Sequence, residues 1–200
     1  MRIFFRAWAA CVLCLCAVGA QALDVNGVRY EEGLDLQGSR LQLNGAGTRY
    51  KLAFRVYTAG LYLGKKARTP ESVYADAGAK RLSLTMLRDV DADELGRLFI
   101  QGIRDNSSPA EYGRLLSGLL RMSQVFSDYK KLKTGDTITM DWVPGRGTLI
   151  QVRGQSAGAP FVEPEFYAAM LRIWLGPSPA DWQLKDALLG LPPKPANSAL

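Results

Sequence analysis

Apolar and polar positions alternate most clearly along residues 45–63, where a glycine-rich stretch leads into a run of alternating side chains. The pattern predicts a turn at Gly45 followed by one long strand, interrupted by a bulge at Ala59 and Gly60. One face is predicted to pack in the core, and the other is either an ordinary solvent-exposed sheet face or, around Arg49, the floor of a site. The predicted core face carries Tyr50, Leu52, Phe54, Val56 and Thr58, and the other carries Arg49, Lys51, Ala53, Arg55 and Tyr57.

Shorter alternating segments predict the rest of a sheet. Asn26 and Gly27 lie between two apolar stretches, which is typical of a tight β-hairpin turn. Three further segments alternate and are bounded by turn-forming residues, so they are predicted to be strands. They cover residues 81–87, 137–143 and 148–153, and the last two are predicted to form a hairpin.

Capping signals and apolar periodicity predict four main helices. Asp91 precedes Glu94 with the spacing of an N-terminal cap, and Ser108 precedes Glu111 in a capping box. The second helix has an apolar stripe predicted to pack on the sheet, formed by Leu115, Leu116, Leu119, Leu120 and Phe126. Two later helices are predicted at 163–175 and, capped from Ser178, up to residue 190. This element order predicts an α+β fold in which helices cover a large antiparallel sheet.

The N-terminal residues have the pattern of a secretory signal peptide. Arg2 and Arg6 precede an apolar run, and Ala20-Gln21-Ala22 is a typical cleavage site. We therefore predict a signal peptide at residues 1–22, cut after Ala22, and a periplasmic or secreted protein with no transmembrane segment in its mature chain. The remaining chain is predicted to be one domain at 23–190 and a flexible tail at 191–200.

Composition removes several classes of chemistry. The chain has no histidine, and its three cysteines, Cys11, Cys14 and Cys16, all lie in the predicted signal peptide. Histidine-dependent hydrolysis, zinc sites of the HExxH type and histidine-ligated haem are therefore excluded, and no metal or cofactor is expected. Removal of Arg2 and Arg6 lowers the formal net charge from +6 to +4. These dispersed cations favour a small anion or an anionic membrane surface over nucleic acid as the partner.

Several segments resemble those of the bacterial chalcone isomerase-like family, and the resemblance covers roughly residues 33–190. The most specific segments are 45–49, 54–63, 87–90, 135–136 with 144–148, and 173–176. The resemblance implies an open-faced β-sandwich, in which helices are layered on a large antiparallel sheet and a ligand cleft lies between the two layers.

The resemblance also assigns candidate site residues. Arg49 matches the family's arginine, which in true chalcone isomerases would stabilise oxyanion charge during cyclisation. Asn106 matches an active-site asparagine, so Arg49 and Asn106 are the candidate catalytic residues. Phe99 stands where the plant enzymes have a tyrosine. Tyr57 aligns with a strand threonine, and Tyr167 lies near a small hydroxyl residue of a late helix. The candidate ligand-binding residues are thus Arg49, Tyr57, Phe99, Asn106 and Tyr167, whereas Lys51 and Arg55 are predicted surface charges.

The resemblance leaves several functions open. In the first, the cleft binds an amphipathic anion such as a fatty acid, with Arg49 pairing the head group. In the second, the protein is an isomerase that cyclises a chalcone or a similar enone. In the third, it binds haem as other members of this fold do, with Tyr, Met or Lys as the axial ligand. A structural or partner-binding role is the last alternative, and the oligomeric state is not predicted.

Overall fold

The computed structural model describes residues 22–193. It opens with a hairpin of β1 (Ala22–Val25) and β2 (Val28–Glu31). The turn holds Asn26 and Gly27 at φ angles of 53° and 82°, so the predicted Asn-Gly hairpin is confirmed. The predicted signal peptide, apart from Ala22, and residues 194–200 of the predicted tail lie outside the described residues.

Seven strands form the main sheet. In chain order they are β3 (Gly33–Leu36), β4 (Ser39–Lys51), β5 (Phe54–Leu63), β6 (Lys80–Met86), β9 (Thr137–Val143), β10 (Gly147–Val152) and β11 (Gln155–Ser156). All neighbouring pairs are antiparallel, and the spatial order is β11-β10-β9-β6-β5-β4-β3. The short strands β7 (Val90–Asp91) and β8 (Lys131–Leu132) pair separately. The three strands predicted after residue 80 are confirmed to within about a residue at each end.

Five helices complete the part of the chain that the structure describes. They are α1 (Pro70–Ala75), α2 (Ala92–Asp105), α3 (Pro109–Ser127), α4 (Pro164–Leu175) and α5 (Trp182–Leu188). The Asp91 cap of α2 and the Ser108 capping box of α3 are confirmed. The last helix begins later than predicted, because Asp181, and not Ser178, accepts the capping hydrogen bond from the Leu184 amide. Within residues 22–193, no helix is long and apolar enough to cross a bilayer.

The main core lies between one face of the sheet and α2, α3 and α4, so the predicted α+β layering is confirmed. The opposite face carries a smaller cluster in which Tyr30 of β2 packs with residues of β3, β4 and β5. The apolar stripe of α3 is only partly buried: Leu116 and Leu120 are 50% and 74% exposed. They follow Leu115 and Leu119 directly, and the rotation of about 100° per residue carries them beyond the edge of the face that packs on the sheet.

The prediction of a turn at Gly45 is wrong, since β4 runs without a turn from Ser39 to Lys51. Gly45 instead permits close packing, because a Cβ at this position would run into the Ala187 carbonyl oxygen of α5. The chain turns at residues 52–53, and the register shifts at residues 43–45 of β4 and at residues 55–57 of β5, where Val56 is the extra residue. The predicted bulge at Gly60 is also wrong, because β5 pairs regularly there and the glycine lies against the Tyr30 ring.

This turn exposes side chains that were predicted to be core. Residues 50–55, which we call the β4–β5 tip, are all exposed. Leu52 is 92% exposed and Phe54 is 62% exposed, so the core prediction for these positions is wrong. The hairpin register sets Arg49 opposite Tyr57 on the neighbouring strand. Directly opposed residues of an antiparallel pair share one face, so these two side chains are neighbours.

Candidate functional site

A cavity of about 430 Å³ lies between the main sheet and the helical layer. The sheet contributes Leu84, Ile138 and Met140 to its walls, and the helices contribute residues such as Leu95, Phe99 and Ile173. These strand positions alternate with residues of the opposite face, which is why their side chains reach the cavity. The interior is therefore suited to an apolar molecule or chain.

The rim of the cavity carries charges of both signs. Arg49, Lys51 and Arg88 line it together with carboxylates that include Asp89 and Glu94. The Lys51 ammonium lies 3.3 Å from a Glu94 carboxylate oxygen, which joins the β4–β5 tip to α2. Lys51 was predicted to be an ordinary surface charge, but it belongs to the cavity lining. An amphipathic molecule therefore meets a polar entrance and an apolar interior.

Arg49 lies near the end of β4, next to the bulge that Val56 forms in β5. Its Nη1 donates to the Tyr50 carbonyl and lies 3.6 Å from Oδ2 of Asp181. Asp181 is engaged elsewhere as well: Oδ1 accepts from the Leu184 amide and Oδ2 accepts from the Tyr50 amide, each at 3.0 Å. A guanidinium has five N–H donors, and both of these contacts use the same nitrogen. Arg49 thus retains donors for an anion.

Tyr57 lines the cavity next to Arg49 and is held by Trp174 of α4. The indole Nε1–H donates to the Tyr57 hydroxyl oxygen at 2.9 Å. This bond occupies the oxygen as acceptor and leaves the hydroxyl proton to be donated. Burial raises the pKa of Tyr57, an effect opposed in part by the Trp174 hydrogen bond and the charge of Arg49. The phenol is therefore neutral, and a donor, at neutral pH.

Phe99 of α2 also lines the cavity, where its ring is buried. Its centroid lies 5.6 Å from that of Phe126 and 5.8 Å from that of Trp174, the latter in an edge-to-face arrangement. The structure thus brings Arg49, Tyr57 and Phe99 together around one space. Phe99 supplies only an apolar surface there, because its ring has no polar atom.

Asn106 lies at the C-terminal end of α2 and does not itself line the cavity, although its neighbours Gly102 and Ser178 do. Its Nδ2 donates to the carbonyls of Gly102 and Ser178, and its Oδ1 accepts from the Ser178 amide, all at 2.9 Å. These bonds occupy both amide hydrogens and the oxygen with backbone partners. Asn106 therefore ties the end of α2 to the segment after α4, and that segment contributes Ser178 to the cavity wall.

Tyr167 of α4 is buried away from the cavity lining as well. Its hydroxyl lies 3.5 Å from the Met140 carbonyl, and its ring is 6.0 Å from that of Trp142. Burial raises the pKa of Tyr167 well above its ordinary value, so the phenol is neutral. Neither Tyr167 nor Asn106 presents a free polar group to the space beside Arg49.

Two residues of the site were missed by the sequence analysis. Asp181 lies in the segment predicted to cap the last helix, and Trp174 lies in the predicted helix 163–175 and in the family-like segment 173–176, but neither was predicted to be a site residue. The signal for Asp181 was present, since an aspartate that caps a helix has a second carboxylate oxygen for another donor. No sequence signal paired it with Arg49. Within residues 22–193 no group of three or more acidic, histidine or cysteine side chains is arranged to hold a metal ion.

Comparisons with known proteins agree with this architecture. A family model described as chalcone isomerase-like matches residues 22–190. Among solved structures, the fold is similar to the crystal structure of a fatty-acid binding protein from Arabidopsis thaliana, with a TM-score of 0.66 and 16% sequence identity. The similarity covers 84% of this chain and 96% of the plant protein's chain. No curated protein matches the chain significantly in sequence.

Proposed function

The chain belongs to the chalcone isomerase-like family, and we propose that its cavity binds an amphipathic carboxylate of the fatty-acid class. The observation that carries the proposal is the position of Arg49. This guanidinium lies at the rim of an apolar cavity and is only loosely paired, 3.6 Å from Asp181. In this position it would bind the head group while the hydrocarbon chain fills the interior.

The polar contacts of the head group would come from β4 and β5. Arg49 supplies charged N–H donors, and Tyr57 supplies the hydroxyl proton that its bond with Trp174 leaves available. A carboxylate accepts hydrogen bonds on two oxygens, so both donors can serve one head group. Phe99 and the aliphatic wall residues would contact the chain, where burial of methylene groups contributes most of the affinity.

The plant fatty-acid binding protein supports this ligand class through the shared fold alone. We propose further that the protein acts after export, which the predicted signal peptide at residues 1–22 would direct. The test of export is the N-terminus of the protein recovered from outside the cytoplasm, measured by mass spectrometry. A first residue of Leu23 is expected, and an intact N-terminus in that fraction would contradict cleavage after Ala22.

The binding proposal is tested with a fluorescent fatty acid and with the alcohol of the same chain length. Replacing Arg49 by glutamine should weaken carboxylate binding by about tenfold or more, the order expected for lost hydrogen bonds to a charged group. Binding of the alcohol should change little, because its head group has no charge for Arg49 to pair. Lipids extracted from the purified protein into organic solvent, and identified by mass spectrometry, would give the natural ligand.

The matched control is Arg55→Gln. Arg55 lies on the same hairpin and also bears a guanidinium, but it bonds to the Asn26 side chain at 2.8 Å and is absent from the cavity lining. It should retain wild-type affinity for the fatty acid. If Arg49→Gln binds the fatty acid as wild type does, or if both variants lose it equally, Arg49 is not the head-group partner.

A second candidate function is the cyclisation of a chalcone-like enone. The observation that favours it is the pairing of Arg49 with Tyr57, since two donors beside one space would stabilise an enolate oxygen. Asn106 and Phe99 offer no free polar group to assist. Loss of enone absorbance on incubation with a chalcone tests this function. Turnover by wild type that is abolished in Arg49→Gln would support it, and absence of turnover would exclude it for that substrate.

A further inference from the structure

We propose that the β4–β5 tip docks the protein on an anionic lipid bilayer, with Leu52 and Phe54 entering the interface. The inference rests on the proposed function, because it names the surface from which a lipid reaches the cavity. Three observations carry it: the exposure of the tip's apolar side chains, the cations around them, and the position of the tip at the cavity rim.

The tip exposes apolar surface that the fold does not require. Leu52 is 92% exposed and Phe54 is 62% exposed. Leu52 also has a φ of 56°, in the left-handed region that bulky residues rarely adopt and that glycine or asparagine fits without strain. Neither packing nor backbone geometry therefore accounts for a leucine at this turn. Insertion into an apolar phase does account for it.

Cations surround these apolar side chains. No aspartate or glutamate occurs from residue 36 to residue 70, whereas the tip carries Lys51 and Arg55. The Arg88 guanidinium stacks over the Phe54 ring, 5.4 Å from its centroid. Glu94 neutralises part of the Lys51 charge, and Arg55 is held by the neutral Asn26 side chain. The tip itself thus carries two cations and no acid, although carboxylates lie on the neighbouring cavity rim. An apolar end with cations of its own is complementary to an anionic lipid surface.

The tip also stands beside the cavity entrance. Lys51 within it and Val56 just after it line the cavity, as does Arg88. A bilayer in contact with Leu52 and Phe54 would therefore lie next to the rim that carries Arg49. This placement lets an amphipathic anion leave the lipid layer close to its proposed head-group partner.

The test is co-sedimentation of the exported protein with vesicles of phosphatidylglycerol and, separately, of phosphatidylcholine. The tip variant combines Leu52→Asn, which suits a positive φ, with Phe54→Gln. The control combines Leu116→Gln with Leu120→Gln, which removes two exposed leucines from α3 instead. Wild type and all variants have the same N-terminus, so a difference in vesicle binding comes from the substituted residues. Circular dichroism verifies that each variant is folded.

Wild type and the α3 control should sediment equally with phosphatidylglycerol vesicles, and the tip variant should bind about tenfold more weakly, as expected when two apolar side chains leave the interface. Equal binding by the tip variant, an equal loss in the α3 control, or no preference for phosphatidylglycerol would overturn the proposal. The tip variant should still bind a dissolved fatty acid as wild type does. Vesicle docking without any fatty-acid binding would refute the proposed ligand and leave the docking surface standing.

Discussion

Two arginines of the main sheet face carboxylates in different ways. Arg81 of β6 makes a bidentate pair with Asp141 of β9, with Nε to Oδ1 at 2.7 Å and Nη2 to Oδ2 at 2.6 Å. Arg49 of β4 approaches Asp181 with a single nitrogen at 3.6 Å. Each arginine also lies opposite a tyrosine on β5, Tyr62 for Arg81 and Tyr57 for Arg49.

The difference distinguishes an arginine that holds the fold together from an arginine that can still pair with a ligand. Asp141 has a side chain only 2% exposed, and its hydrogen bonds raise the pKa of Arg81. Both oxygens of that carboxylate are used by one guanidinium, so little remains for a ligand. Asp181 divides its oxygens between backbone amides and Arg49. The arginine beside the cavity is therefore the one whose charge is less fully compensated.

The largest effect is expected for Asp141→Ala. This change leaves the Arg81 guanidinium without its partner in a site where its side chain is 22% exposed, and we expect a loss of about 3 kcal/mol in the free energy of unfolding. Urea unfolding followed by circular dichroism measures it. Asp181→Ala is the matched change at the other arginine and should cost only about 1 kcal/mol, mostly through the lost helix cap. Equal losses would remove the distinction between the two pairs.

A smaller loss, of about 2 kcal/mol, is expected for Asn106→Ala, because three hydrogen bonds between its part-buried amide and the backbone are lost. Urea unfolding gives the stability, and titration with a fluorescent fatty acid gives the affinity. Asn106 resembles Asp141 in that its side-chain polar atoms bond within the fold. If the variant keeps its stability and loses affinity for the fatty acid, Asn106 contacts the ligand directly. It would then belong with Arg49 among the ligand-binding residues.

Arg49→Gln is expected to change the free energy of unfolding by less than about 1 kcal/mol, because a long, partly exposed ion pair contributes little. The corresponding change Arg81→Gln leaves Asp141 buried without its cation and should cost about 3 kcal/mol. Both are measured by the same urea transitions. A large loss for Arg49→Gln would show that its main role is to hold α5 on β4, and its role as a head-group partner would lose support.

Local signals were enough for much of the fold. The Asn26-Gly27 turn and the caps at Asp91 and Ser108 depend on groups within four residues of one another, so the sequence contains their whole explanation. The element order predicted that helices cover an antiparallel sheet, and the resemblance to the family added the cleft between the two layers. Alternation also placed the strands from residue 80 onward, since each has one face in the core.

Residues 45–63 were misread because their pattern has two explanations. Gly45 suits a turn, but it equally suits a strand that a helix crosses closely, and only the position of α5 decides between them. Leu52 and Phe54 have the alternation of core residues, although they lie at an exposed tip. The partner of Arg49 is likewise set by tertiary packing: Asp181 follows it by more than a hundred residues, beyond the reach of any local pattern.

The smallest effect concerns the two tyrosines at high pH. Burial, together with the nearby Tyr30 and Glu31, raises the pKa of Tyr62 to about 12. An unfolded tyrosine ionises near pH 10, so above about pH 10 the folded state retains more protons and stability falls as pH rises. Tyr62→Phe should reduce this fall by less than about 1 kcal/mol at about pH 10.5, measured by urea unfolding relative to neutral pH.

Tyr57→Phe provides the matched comparison, because burial raises the pKa of Tyr57 too. It should reduce the alkaline loss of stability in the same direction, since both phenols ionise more readily in the unfolded chain. At neutral pH, only Tyr57→Phe should also weaken fatty-acid binding, by about fivefold for one lost hydrogen bond. If Tyr62→Phe weakened fatty-acid binding equally, the effect would not be specific to Tyr57. The Arg49–Tyr57 pair would then have no better claim to the head group than the Arg81–Tyr62 pair.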